Sequence, residues 1–84
     1  MSYPLNPLEQ FVVREDEIVQ RVHTCDEIMA IVLDMVYKQG EVTLHIKTVK
    51  EALLSILRLQ QDMQAELLSL RLEKRILAHT SASA

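Results

Sequence analysis

Residues 49–77 read VKEALLSILRLQQDMQAELLSLRLEKRIL. In this stretch Val49, Ile56, Met63, Leu70 and Leu77 recur every seventh residue without a break. A companion row, Ile46, Leu53, Gln60, Leu67 and Lys74, runs three residues ahead of it and is apolar in part. Two rows spaced alternately by three and four residues lie side by side along one stripe of an α-helix, so the spacing predicts a long helix with a coiled-coil-like seam. Thr48-Val49-Lys50-Glu51 has the form of a capping box and places the start of this helix at Thr48. Arg71, Lys74, Arg75 and His79 crowd its last turns, where positive charge suits the helix dipole. The expected bounds are 48–79, with residues 80–84 as a small, polar, frayed tail.

The same period occurs earlier in the chain. Leu8, Glu15, Val22, Met29 and Val36 form one row, and Phe11, Ile18, Cys25 and Val32 the other. Only Glu15 departs from apolar character. Asn6 is suited to cap this helix, Pro7 falls at its first position, and Glu9 stands where a capping box wants a carboxylate. Gly40 can take the left-handed helical conformation that closes a helix, and Lys38 complements the C-terminal dipole. The expectation is a loose arm over 1–6 and a first helix over 7–39.

Residues 40–47 are ambiguous. Val42, Leu44 and Ile46 alternate with polar residues, which is the period of a strand. A lone strand has nothing to pair with inside this chain, so a turn leading into helix is the favoured reading and a short strand the other. Two helices of roughly 30 residues, each about 45 Å long, joined by so short a link predict an antiparallel hairpin. In that register Val36 lies near Thr48, Cys25 near Gln60 and Phe11 near Lys74. The fold class is therefore all-α: a single helical-hairpin domain that completes a bundle by dimerisation or by association with another protein.

Composition supports this architecture and narrows the function. Of 84 residues, 49% are hydrophobic, yet only Tyr3, Phe11 and Tyr37 are aromatic. The apolar mass is aliphatic, as in helix–helix packing. One Gly and two Pro leave too few turn residues for an all-β fold. A net charge of −3 with no basic block argues against a nucleic-acid partner. The longest apolar run, Ile28–Leu33, is far short of the ~18 residues that suggest a membrane span, and Met1–Gln10 lacks the pattern of a secretory signal. The single Cys25 has no internal disulfide partner. The expected location is the cytoplasm.

Chemistry-bearing residues do not converge in this pattern. His23 and Cys25 are two apart on a helix and point in different directions. Cys25 also occupies the seam, where a buried small hydrophobe is the expected role. His23, His45 and His79 lack zinc-like spacing. No glycine-rich phosphate loop and no nucleophile–base–orienter set is present. The expectation is no catalytic residue, no cofactor and no metal: the chain is not read as an enzyme. Glu15, the polar member of its row, is expected to pair with Arg71 or Lys74 across the hairpin, the other reading being that it marks where a partner docks. Gln60, with Gln61, Asp62 and Gln64, is expected to form a polar layer that fixes register.

Function is then read from apolar residues that the seam does not use. Ile28, Ile31, Leu33, Met35 and Tyr37 on the first helix, and Leu54, Leu57, Leu59, Leu68, Leu72 and Ile76 on the second, lie outside it. On the order of 100 Å² each at about 25 cal/mol per Å², every one that is covered contributes roughly 2 kcal/mol to association. The candidate interface is Ile28, Ile31, Leu33, Met35, Tyr37, Leu54, Leu57 and Leu68, concentrated near the turn. The expected partner is another protein, a second copy of the chain, or both, with neither nucleic acid nor membrane insertion.

In its two helices and overall length the chain is similar to the short helical-hairpin co-chaperones of bacterial type III secretion systems, which pair with a second chaperone and hold a needle subunit. That resemblance implies that the apolar turn-end surface binds the other chaperone. A regulatory anti-activator that sequesters a transcription factor would use the same surface.

Overall fold

The structure, a computed structural model, describes residues 6–40 and 43–83. Positions 1–5 of the expected arm, the first two residues of the 41–47 segment and Ala84 lie outside the described residues.

Helix α1 spans Pro7–Gln39 and helix α2 spans Ile46–Ser83. The start of α1 follows the capping logic: the Asn6 side chain accepts a hydrogen bond from the Glu9 backbone N–H at 2.8 Å, with Pro7 just inside the helix. At the other end Gly40 adopts φ 62° and ψ −159°, and its N–H bonds the Val36 carbonyl. This is not the left-handed helical basin that the sequence suggested. It is a region that essentially only glycine occupies.

The second helix departs from the expected bounds at both ends. It begins at Ile46, two residues before Thr48, so Thr48 sits inside the first turn and does not cap it. The His45 carbonyl accepts the first helical bond, from the Val49 N–H at 3.1 Å, and His45 Nδ1 lies 2.6 Å from Thr48 Oγ1. Starting the helix here puts Ile46 on the same stripe as Val49 and Leu53, which the alternating period of 42–46 conceals. Among the described residues of the link there is no strand: Thr43 is in a turn and Leu44 in a bend. At the far end the helix continues through Ser83 because neither Gly nor Pro follows Thr80, and Ala and Ser are tolerated in a helix.

The helices pack antiparallel along the expected seam. The buried hydrophobic core is Ile18, Cys25, Met63 and Leu67, with Val22, Ile56 and Leu70 packed against it. Ile18 is fully buried. Every core member comes from the two rows of one helix or the other. The molecule measures 64 × 30 × 15 Å, and the described residues form a single layer of two helices. Its radius of gyration is 18.8 Å, against about 12 Å for a compact domain of this length.

Candidate protein-interaction surface

Polar contacts fix how the helices meet. Gln60, 5% exposed, donates from Nε2 to the Val22 carbonyl at 3.0 Å and to Asp26 Oδ1 at 2.7 Å. This places Gln60 level with the turn that carries Cys25, the register expected from the spacing. Glu15 accepts from Lys74 Nζ at 2.7 Å and from Arg71 Nε at 3.0 Å, so it pairs with both expected partners. Its side chain is 17% exposed, and the hydrogen bonds from Lys74 and then Arg71 hold its carboxyl below the ordinary carboxylate range. Arg14 reaches Glu66 at 2.6 Å, a pair that the spacing of seam residues did not suggest.

These contacts also define the two broad faces of the layer. In an antiparallel pair of helices, residues flanking the seam on one side of the first helix meet residues flanking it on the same side of the second. Asp26 with Gln60 and Glu15 with Arg71 mark one flank. Arg14 with Glu66 marks the opposite flank.

The candidate interface residues divide between these flanks. Leu33, Leu54 and Leu57 lie on the Asp26–Arg71 flank. Leu33 and Leu54 line an apolar groove there with Val36, Ile46, Val49 and Leu53. Leu68, 71% exposed, continues this flank toward the open end, and Tyr37, 89% exposed, borders it at the turn. Ile28, Ile31 and half-buried Met35 belong to the Arg14–Glu66 flank, where Ile28 and Leu59 line a second groove beside Arg21, Thr24, Cys25 and Met63. The eight residues therefore do not form one continuous patch. The seam period explains the division: positions just before and just after the seam in each heptad face opposite sides of the layer.

Three exposed valines, Val12, Val13 and Val19, were missed. Val12 and Val19 sit seven apart on the first flank, in line with Asp26 and Leu33. The spacing of Val12 and Val19 was visible, but the neighbouring charges Arg14, Asp16 and Glu17 drew the candidate interface toward the turn. Leu59, Leu72 and Ile76 are exposed, as their places outside the seam imply.

The remaining groups stay apart. Cys25 is a buried free thiol, and His23 stands on the surface 3.5 Å from Glu27. Among the described residues no three His, Cys, Asp or Glu side chains stand together as a metal site would require, and no helix is long and apolar enough to cross a membrane.

The class defined by fold and surface is a helical hairpin with two exposed apolar flanks. No protein-family model, curated protein or solved structure matches this chain.

Proposed function

We propose that this protein is an interaction module: a small adaptor, chaperone or assembly subunit that presents an apolar helical face to another protein. One observation carries the reading. Among the described residues, fifteen large hydrophobic residues are exposed on a hairpin whose buried core holds four hydrophobic residues. Scattered exposed leucines are ordinary on a protein surface, but rows of them on an elongated single layer mark an association site.

The flank carrying Ile28, Ile31, Met35 and Leu59 fits a partner's helix. Its apolar residues recur at spacings of three and four in the turn half of α1, and Leu59 walls the groove from α2. A helix laid there would bury an apolar stripe of its own. Arg14, Arg21, Asp62, Glu66 and Glu73 follow in the open half and would set its direction through charge. In the co-chaperone version of this reading the partner is a second chaperone. In the regulatory version it is a transcription factor. Both place the protein in the cytoplasm, and neither assigns it a reaction.

The test uses the full chain as bait in its native cell. A partner should co-purify with the wild type and with Gln20→Ala, and should be lost with Ile31→Asp and with Leu59→Asp while helicity is unchanged. Retention by both Asp variants would sink this reading.

A further inference from the structure

We infer that the opposite flank, bearing Leu33, Leu54, Leu57 and Leu68, is covered by a second copy of this chain, with both turns at the same end of a four-helix bundle. The inference rests on the reading of the exposed rows as binding surface, but concerns a different flank from the one assigned to the partner.

Area is the first argument. Val12, Val19, Leu33, Leu54, Leu57, Leu68 and Tyr37 are all exposed and border this one face. On the order of 100 Å² apiece, they offer roughly 700 Å² of apolar surface per copy, close to the ~800 Å² that each partner buries in a standard stable interface. They are spread over the whole length of the layer. On the Arg14–Glu66 flank, by contrast, the exposed large apolar residues are fewer, Ile28, Ile31, Leu59 and Ile76, and in the open half Arg14, Glu17, Glu66 and Glu73 interrupt them.

Charge is the second argument, and it decides the arrangement. On this flank α1 carries Glu9, Asp16 and Asp26 and no Lys or Arg. On the same flank α2 carries Lys47, Lys50, Arg71 and Arg75 and no Asp or Glu. A face with acids along one helix and bases along the other is complementary to itself when the copies are related so that α1 lies over the partner's α2. A two-fold axis along the 64 Å dimension does this and keeps residues at their own level. In the register set by Gln60, Glu9 then stands opposite Arg75, Val19 opposite Leu68 and Leu33 opposite Leu54. Every neighbouring pair of helices in the bundle is antiparallel, which also suits their dipoles.

The other face-to-face two-fold, across the long dimension, stacks each helix on its own copy. It brings Lys47 over Arg75 and Asp16 over Leu33, setting like charges together and burying a carboxylate against an apolar side chain. The distribution of charge therefore selects the same-end bundle.

Sedimentation equilibrium of the full chain should give twice 9.7 kDa at micromolar concentration. Leu54→Asp with Leu68→Asp should give a helical monomer, because both positions are exposed in the hairpin and lie outside its core. Arg75→Glu should weaken the dimer several-fold, since residue 75 faces Glu9 of the other copy. If Arg75→Glu tightened the dimer, the opposed-turn arrangement would hold and the proposal would fail. A dimer abolished by Ile31→Asp and Leu59→Asp, yet intact in the Leu54/Leu68 variant, would move the interface to the wrong flank and overturn it. A 9.7 kDa species at high micromolar concentration would also overturn it, while the partner reading would still be decided by the capture experiment.

Discussion

Glu15 shows how one polar residue on an apolar seam can be accommodated. It replaces an aliphatic contact with two charge-assisted hydrogen bonds from the other helix, and Lys74 and Arg71 have stems long enough to supply them. Because its carboxyl titrates below the ordinary range when folded, the pair stabilises the hairpin above the unfolded carboxyl pKa of about 4.3. That contribution is lost as the pH falls through the lower, folded value. Glu15→Gln should therefore flatten the fall of thermal stability between about pH 5 and pH 2, as followed by circular dichroism, relative to the wild type. Gln60 presents the opposite case. Its amide donates to a helix carbonyl and to an exposed carboxylate, both of which keep other partners or water if it is removed. Gln60→Leu should raise stability by about 1 kcal/mol in urea denaturation, since burial of the new side chain outweighs the lost hydrogen bonds. It should also loosen the register that the polar layer specifies, visible as broadened amide resonances.

At the scale of elements, the two helices differ in how clearly they are punctuated. The Asn6-Pro7 start and the Gly40 stop of α1 match its residues to the geometry they adopt. Gly40 has open space where a Cβ would point, so Gly40→Ala meets no steric obstacle. Its cost is that of the backbone alone, φ 62° with ψ −159°, and should be about 1–3 kcal/mol by chemical denaturation. The second helix has weaker signals. Its capping-box residues fall within the helix, because Ile46 contributes to the apolar stripe and draws the start forward to His45. The alternating period read over 42–46 covers too few residues to separate a spacing of two from one of three or four, and among the described residues of that segment Ile46 belongs to the helix.

The whole molecule is a layer too thin to enclose its own apolar surface, and the dimer inferred above follows from that shape. If a second copy covers the Leu54–Leu68 flank, stability is linked to protein concentration. The midpoint of thermal unfolding should rise by about 3 °C for each tenfold increase in concentration, measured by calorimetry at two concentrations. A midpoint independent of concentration would match a lone hairpin.

Helix number, the seam, the register and the pairing of Glu15 were all legible in the chain, because heptad spacing alone specifies which residues of two antiparallel helices meet. The excess of apolar residues outside that seam was equally legible. Their division into two flanks was not, since a list of residues outside the seam does not separate those just before it from those just after. The packed hairpin, through Arg14 with Glu66 on one side and Glu15 with Arg71 on the other, decides which row of α1 shares a face with which row of α2, and so sets Ile28 and Leu54 on opposite faces. A period sets which residues are left over; the handed packing of two helices sets which of them share a surface.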